Sequence, residues 1–364
     1  MRLLAIDIGG LTQDILLFDS YQVIENCVKM IMPSPTITLF NKITAATEAR
    51  RNLFFTGVNM GGGPSKRALI NHLKAGLKVY ATAEAATTFD DDLDGVSKLG
   101  VRIIREGDLP ENENTERIET RDLDFSAIEK TFTSFGVDPN FDGIAVAVLD
   151  HGAAPPGTSD RQFRFQHLNR VIKLQRELIA FAYLGNEIPS HLTRMKAVVQ
   201  SIEKHIPILV MDTPIAAVLG SLEDKEVARH EHKLVVNVGN FHTLAFHLQQ
   251  DSVLGFLEHH TRLLTRDKME NFIVKLVKGD LSNEEIYGDG GHGCLILENR
   301  KDVPFISVTG PRRALMSGSN LRPYFAAPYG DMMLTGCSGL VRAFAQRVET
   351  WRPEIQKALN KSLL

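Results

Sequence analysis

The chain has 364 residues, of which 43% are hydrophobic and 23% are charged, and its formal net charge is −3. This is the composition of an ordinary globular chain that is long enough for two domains. The small net charge excludes a global basic field for nucleic acid or an anionic membrane, and no apolar run approaches the roughly 20 residues of a membrane span.

The first element in chain order is a strand, a tight turn and a second strand over residues 3–18. The turn carries the residues of interest, Asp7, Gly9, Gly10, Thr12 and Gln13. Glycines at such a turn let backbone N–H groups approach a phosphate, and the next two polar side chains add donors. Asp7 is placed to hold Mg²⁺, mostly through water. The alternative is an ordinary acidic hairpin turn.

The rest of the first half alternates between strand and helix patterns. In chain order we expect strands over 52–58 and 79–82, helices over 66–75 and 125–135, and a strand over 143–149, followed by helices that fill roughly 165–205. The acidic and polar stretch 106–123 is typical of a surface loop. The continuous apolar run 143–149 is typical of a strand buried on both faces.

Asp150 and His151 follow that buried strand and lead into a Pro/Gly loop over 153–157. Active-site groups collect at this end of the strands in α/β sheets. Asp150 is therefore our candidate for a general base, or for a group that holds a nucleophilic water. The alternative is that it only caps the turn.

The second half begins with a strand near residue 208 that leads into a helix of small residues over 212–220. A second strand, glycine turn and strand over 234–246 repeats the N-terminal pattern. Its candidate phosphate-binding residues are Asn237, Gly239, Asn240 and Thr243, with Thr243 one place later than Thr12. A third glycine turn over 307–313 contributes Gly310 and Arg312, and an arginine there would contact phosphates or a purine face. A C-terminal helical tail follows.

Two further loops supply candidates for the lining of a cleft. Asp289 and His292 lie in the glycine-rich stretch 288–293, and Asp331 follows Gly330. A metal site built from Asp150, His151, Asp289, His292 and Cys294 is an alternative role for these residues, since histidine and carboxylate suit several divalent metals. No tight ligand spacing supports that site.

With these motifs in place, the chain resembles the actin, sugar-kinase and Hsp70 ATPase superfamily. Residues 7–14 resemble its first phosphate loop, 237–243 its second, and 212–220 its first connecting helix, while Gly310 lies where its adenosine loop is expected. The resemblance implies an α/β fold of two actin-like (ribonuclease H-like) lobes around a nucleotide cleft, residues 1–205 and 206–364. It also implies ATP and Mg²⁺ as cofactors.

Within that superfamily, the chain looks most like a group whose members are often labelled pyruvate formate-lyase activating enzymes. The stretches 60–64, 288–293 and 330–336 carry this closer likeness. A glycyl-radical activase needs an iron–sulfur cluster held by closely spaced thiolates, whereas Cys27, Cys294 and Cys337 are far apart in the sequence. We therefore predict no radical S-adenosylmethionine chemistry.

The cysteines and the N-terminus also indicate a location. Three cysteines are too few for a disulfide framework, and a reducing compartment is the simplest setting for them. Asp7 interrupts the apolar residues that follow Arg2, so we expect no signal peptide. The prediction is a cytoplasmic protein without nucleic-acid or membrane partners.

Three functions are compatible with these motifs and with the resemblance. The first is an ATP-binding ATPase that activates or reactivates a partner enzyme. The second is a small-molecule kinase that transfers the ATP γ-phosphate, with Asp150 as base. The third is a nucleotide-sensing scaffold that does not hydrolyse, because Asn237 stands where many superfamily members have aspartate. The sequence names no substrate, partner enzyme or oligomeric state.

Overall fold

The structure is a computed structural model that describes residues 1–110, 114–155, 157–300 and 302–361. Its strands in these ranges are, in chain order, β1 (Arg2–Ile8), β2 (Thr12–Asp19), β3 (Val28–Pro33), β4 (Asn52–Gly57), β5 (Val79–Ala81), β6 (Val101–Ile103), β7 (Thr115–Thr120), β8 (Gly143–Val148), β9 (Ala182–Leu184), β10 (Ile208–Met211), β11 (His232–Val238), β12 (His242–Gln249), β13 (Ser252–His260), β14 (Gly293–Ile296), β15 (Phe305–Thr309) and β16 (Tyr324–Phe325).

The α-helices in the same ranges are α1 (Pro35–Glu48), α2 (Ser65–Lys74), α3 (Ala83–Ala86), α4 (Leu93–Lys98), α5 (Phe125–Ser134), α6 (Asp160–Gln175), α7 (Thr193–Gln200), α8 (Thr213–Ser221), α9 (Lys225–Ala228), α10 (Arg266–Lys278), α11 (Asn283–Gly288), α12 (Thr335–Arg347) and α13 (Arg352–Lys361). None of these described helices is both long enough and apolar enough to cross a membrane.

Two six-stranded sheets share the order of five strands, and each has one further antiparallel edge strand, β9 in the first and β14 in the second. The first is β3-β2-β1-β8-β10-β9, and the second is β14-β13-β12-β11-β15-β16. In each sheet three consecutive strands form an antiparallel meander, and its first strand, β1 or β11, then pairs in parallel with a later strand, β8 or β15. This repeat confirms the expected α/β architecture of two actin-like (ribonuclease H-like) lobes.

The central strands are buried because helices cover both faces of each sheet. All six residues of β8 are buried, as are six of the seven in β1 and in β11. The continuous apolar run over 143–149 therefore predicted this strand correctly. One apolar core includes Leu3 and Phe18 of the first sheet, Phe246 and Phe256 of the second, and side chains of α8 and α12.

Helices α8 and α12 cross between the two sheets at glycines. A Cβ added to Gly220 would lie 1.8 Å from the carbonyl oxygen of Thr335, and one added to Gly339 would lie 1.9 Å from that of Ala216. Side chains at these points would hold the two backbones apart. The small residues that the sequence places in α8 therefore allow this close crossing.

A third, parallel sheet of order β6-β5-β4-β7 is inserted between β3 and β8. The prediction of a surface loop over 106–123 is wrong here, because Thr115–Thr120 pairs with Asn52–Gly57. This is an edge strand, in which buried Ile118 and Thr120 alternate with exposed Arg117 and Glu119. The exposed charges concealed the strand pattern. Residues 111–113 of the predicted loop lie outside the described residues.

Two further stretches differ from expectation. The helices expected over 165–205 are interrupted by β9, which pairs with β10. Strand β10, which we expected at the start of the second lobe, pairs with β8 in the first sheet. The division of the chain at residues 205 and 206 stays a prediction.

Candidate functional site

A cavity of about 460 Å³ lies where the β1–β2 turn, the β11–β12 turn and the loop after β8 meet. The predicted site residues that line it are Asp7, Gly9, Gly10, Thr12, Asp150, His151, Asn237, Gly239, Asn240 and Gly310. Residues from both halves of the chain therefore face the same space, and they include most of the two predicted phosphate loops.

The two turns have the same backbone geometry. The amide of Gly9 donates a hydrogen bond to the carbonyl oxygen of Thr12 at 2.9 Å, and the amide of Gly239 donates to that of His242 at 2.9 Å. The structural counterpart of Thr12 in the second turn is therefore His242. Thr243 corresponds instead to Gln13, since both pair with the last residue of the strand before the turn.

Asp7 and Asp14 face each other across the first hairpin. Both are buried, at 7% and 8% exposure, and the Oδ1 atom of each has no hydrogen-bond partner among the described residues. Burial, followed by the Asp14 charge, raises the pKa of Asp7 well above its usual value. Burial also raises the pKa of Asp14 to about 7. Two unpartnered carboxylate oxygens at the cavity wall suit a hard cation such as Mg²⁺.

The second turn lacks this pair of acids. In the matching register Asn237 stands opposite Leu244, so the hairpin offers an amide and an apolar side chain. Gly310 packs directly against it: its φ is +98°, and an added Cβ would lie 2.6 Å from Asn237 Oδ1. The expected third glycine turn is thus adjacent to the second predicted phosphate loop, while the carboxylate pair belongs to the first hairpin.

Asp150 lines the cavity, but both of its carboxylate oxygens accept backbone hydrogen bonds. Oδ1 accepts from the amide of Gly152 at 2.8 Å, and Oδ2 accepts from the amide of Met195 at 2.9 Å. Burial raises the pKa of Asp150, and these two hydrogen bonds oppose that shift. Asp150 therefore fixes the loop after β8 to the start of α7. Its role as a base stays a prediction.

Six predicted site residues lie outside the described lining of the cavity. They are Gln13, Thr243, Arg312, Asp289, His292 and Asp331. Gln13 donates to the carbonyl oxygen of Pro33, and Thr243 bonds to Thr261. Asp289 pairs with Lys268 at 2.7 Å, and Arg312 is exposed. Asp331 accepts from the amide of Met333.

Arg164, on α6, joins the two sheets at the base of the cleft, and sequence reasoning missed it. Its guanidinium contacts Asp212 at 2.6 Å and Glu258 at 2.9 Å, and it donates to the carbonyl oxygen of Asp150 at 3.0 Å. Asp212 follows β10 of the first sheet, whereas Glu258 lies on β13 of the second. The arginine is only 2% exposed, so it forms a buried ionic link between the sheets.

Three histidines meet beside the cavity. His151 follows β8, His242 begins β12, and His292 precedes β14; one ring nitrogen from each lies within 4.8 Å of the others. Neither ring nitrogen of His292 has a hydrogen-bond partner among the described residues, nor does Nε2 of His242. The other members of the predicted metal set point elsewhere: Asp289 faces Lys268, and Cys294 Sγ donates to Leu281.

The two turns also touch each other at their tips. A Cβ added to Gly10 would lie 2.0 Å from a ring carbon of Phe241, so the aromatic ring rests directly on the first glycine turn. Only glycine leaves room for this contact. The phenylalanine ring therefore covers one side of the cavity that the two turns line.

The comparisons with known proteins identify a family. A model of the family described as putative pyruvate format-lyase activating enzyme (DUF1786) matches residues 60–315, well over half of the chain. No curated protein matches the sequence significantly.

Solved structures with a similar arrangement are distant. An activator of 2-hydroxyisocaproyl-CoA dehydratase from Clostridium difficile with bound ADPNP is 8% identical and has a TM-score of 0.37, over 97% of this chain and 98% of that one. A putative N-acetylmannosamine kinase from Listeria monocytogenes is 10% identical with a TM-score of 0.37, over 95% and 99%. A ROK family glucokinase from Streptomyces griseus with glucose and AMPPNP is 10% identical with a TM-score of 0.33, over 94% and 98%.

Proposed function

We propose that this chain, which belongs to the family described as putative pyruvate format-lyase activating enzyme (DUF1786), binds Mg²⁺ and ATP between its two sheets and acts as a slow ATPase on a partner enzyme. One observation carries this proposal. Two glycine turns of the same hydrogen-bonded geometry face one cavity, and two unpartnered carboxylate oxygens stand beside the first of them.

The roles of the residues follow from their chemistry. The backbone N–H groups of the turns at Gly9–Thr12 and Gly239–His242 are suited to hold phosphate oxygens, because glycine leaves the amides accessible. Asp7 and Asp14 would hold Mg²⁺, which neutralises phosphate charge when it is bound. Lys66, which also lines the cavity, adds a cation that is paired with Asp90.

Slow turnover follows from the second hairpin. Asn237 occupies the position equivalent to Asp7, so only the first hairpin offers carboxylates for the metal. With fewer carboxylates to position Mg²⁺, the site is better suited to holding a nucleotide than to rapid hydrolysis. Nucleotide would then control the closure of the lobes, and a partner enzyme would respond to that closure.

The cysteines favour this mechanical role over radical chemistry. All three are free and buried, and they hydrogen-bond to separate segments: Cys27 to Asp19 and Val23, Cys294 to Leu281, and Cys337 to Ala5 and Asp14. An iron–sulfur cluster needs several thiolates at one place. We therefore propose that any activation of a partner depends on nucleotide and not on a cluster in this chain.

Isothermal titration with Mg²⁺–ATP and Mg²⁺–ADP tests the binding. We expect Asp7→Asn to weaken binding about 10-fold or more, as loss of a charged contact of about 1.5–3 kcal/mol predicts. Asp267→Asn is the matched control, because the Asp267 side chain is 92% exposed and lies away from the cavity. The proposal is wrong if the folded wild-type protein binds neither nucleotide, or if Asp7→Asn binds like the control.

Phosphate release then separates the three functions. A slow ATPase releases phosphate at a basal rate, and a partner protein raises that rate. Release that depends on an added metabolite and falls in Asp150→Asn would indicate a kinase. Tight binding without any turnover would indicate a sensing scaffold. Either result would overturn the ATPase proposal and leave nucleotide binding in place.

A further inference from the structure

We infer that His151, His242 and His292 form a site for one divalent transition-metal ion of the zinc type, with a fourth coordination position open to the cavity. This site is separate from the proposed Mg²⁺ position at Asp7 and Asp14, and it does not rest on nucleotide binding. The position of the three rings and their unpartnered nitrogens support it.

The three rings come from three separate segments and converge. One ligand nitrogen from each lies within 4.8 Å of the others, and the ring centroids are 5.0 to 5.8 Å apart. Nitrogens bound at about 2.1 Å to a tetrahedral metal lie about 3.4 Å from one another. Small rotations of the rings are therefore enough to bring all three nitrogens onto one ion.

Backbone hydrogen bonds and close packing hold His292 in place. The amide of His292 donates to the carbonyl oxygen of Glu258 at 2.9 Å, and Arg161 donates to the carbonyl oxygen of Gly291 at 2.7 Å. The glycine-rich loop before His292 is closely packed, since an added Cβ at Gly291 would meet His259 at 2.5 Å. The close packing of Gly291 therefore helps to position the histidine that follows it.

The ring nitrogens lack the hydrogen bonds that buried imidazoles normally make. His292 is 1% exposed, yet neither of its ring nitrogens has a partner among the described residues, and Nε2 of His242 is likewise unpartnered. Burial lowers the pKa of all three rings, so they are neutral with lone pairs available. A neutral imidazole with a free lone pair is the form that binds a metal.

The surrounding charges accommodate a cation. The nearby guanidinium of Arg164 is bonded to the carboxylates of Asp212 and Glu258, and that of Arg194 is bonded to Asp122. Asp150, next to His151, accepts only backbone hydrogen bonds. The guanidiniums of Arg164 and Arg194, which both act on His151, are thus each held by carboxylates, which reduces their repulsion of a bound cation.

The donor set selects the class of metal. Three imidazole nitrogens suit Zn²⁺, Fe²⁺, Co²⁺ and related ions, whereas Mg²⁺ and Ca²⁺ prefer oxygen ligands. Three protein ligands with one open position are typical of metal sites that bind water or substrate. His151 and His242 line the cavity, so the open position faces the space proposed for the nucleotide.

The test is metal loading of the tag-free full chain without nucleotide. After chelation, the protein is titrated with Zn²⁺ by calorimetry and with Co²⁺ by visible absorbance, and bound metal is counted by elemental analysis. We expect one ion per chain and a four-coordinate Co²⁺ spectrum. His151→Gln and His292→Gln should each lower the affinity by more than about 100-fold, a larger loss than for residues outside the ligand set. His205→Gln, at an exposed histidine, should bind like wild type.

Three outcomes would overturn the inference. They are the absence of a stoichiometric ion in the wild type, a Co²⁺ spectrum of six-coordinate oxygen ligation, and unchanged affinity in the cluster variants. Thermal unfolding guards against misfolded variants: Zn²⁺ should raise the melting temperature of wild type and His205→Gln but not that of folded His151→Gln. A shift in all three proteins would place the ion elsewhere and would also reject the site.

Discussion

The facing carboxylates of Asp7 and Asp14 distinguish the first hairpin from the second. Each has a raised pKa chiefly because it is buried, and each has an unpartnered oxygen. In the absence of a cation, this arrangement destabilises the fold once the groups ionise. Buried carboxylates that lower folding stability at a cavity wall are typical of a site that is organised for a ligand.

Asp14→Asn should stabilise the protein at pH 8 in the absence of Mg²⁺. The unfolded chain releases this proton near pH 3.8, while the folded chain keeps it to about pH 7. Stability is therefore lost as the pH rises between these values, and asparagine removes that loss. We expect the melting temperature to rise by about 2–4 °C at pH 8, which corresponds to roughly 1 kcal/mol, with little change near pH 4.

The same measurement on Asp267→Asn controls for the change in net charge, because that side chain is 92% exposed. Mg²⁺ should raise the melting temperature of the wild type at pH 8 and should have less effect on Asp14→Asn. An Asp14→Asn protein that is less stable than wild type at pH 8 would show that the carboxylate is paired and not isolated.

The residues of the site divide into those that local patterns predict and those that only the fold brings together. The glycine turns, Asp7, Asp150 and His151 lie at strand ends, where sequence patterns are strong. Arg164 could not be predicted, since its partners Asp212 and Glu258 are 48 and 94 residues away. Asp14 and His242 were visible in the motifs, but their roles depend on the register of each hairpin.

At the scale of elements, burial decides which predictions hold. Strands covered on both faces contain an apolar run, the whole of β8 and residues 234–236 of β11, and the sequence predicts them well. The edge strand β7 has only one buried face, so its charges resemble those of a loop. The short β9 gives too few residues for a periodic pattern. These two segments are strands because they pair with β4 and β10, and that pairing cannot be predicted from local composition.

The crossing of α8 and α12 gives an element-scale prediction. Gly220→Ala would place a Cβ 1.8 Å from a carbonyl oxygen of α12, so the two helices must separate. We expect a loss of about 1–3 kcal/mol in the free energy of unfolding, as for overpacked cores, measured by urea denaturation.

Gly288→Ala is the matched control, because Gly288, like Gly220, lies in the last turn of a helix and an added Cβ there meets no atom within 4 Å. This control should be neutral or slightly more stable, since alanine is the better helix former. Equal unfolding free energies for the two variants would mean that α8 and α12 do not depend on this close approach.

At the scale of the whole molecule, the described contacts that join the two sheets include three near the cavity. They are the glycine crossing of α8 and α12, the contact of Phe241 with Gly10, and the buried guanidinium of Arg164. The first two are apolar and close-packed, whereas the third is ionic. All three lie beside the cavity or its supporting helices, so we expect ligand binding there to be coupled to how the two halves are held.

Arg164→Ala should destabilise the whole chain by about 3–5 kcal/mol, because it leaves two buried carboxylates without their cation. Arg67→Ala, which changes an exposed arginine on α2, should change stability little.

Without the guanidinium, the pKa of Asp212 and Glu258 rises further, so these groups take up protons in the folded state. The variant then loses stability as the pH rises. The difference in unfolding free energy between wild type and Arg164→Ala should therefore be larger at pH 8 than at pH 5.

Urea unfolding at both pH values measures this difference, and a triple variant separates charge from packing. Arg164→Met with Asp212→Asn and Glu258→Gln removes the three charged groups of this link together. It should recover part of the stability that Arg164→Ala loses, since a buried ionic group can be replaced by neutral residues at low cost. If the triple variant is no more stable than Arg164→Ala, and the deficit does not change with pH, then Arg164 joins the sheets by packing and not by charge.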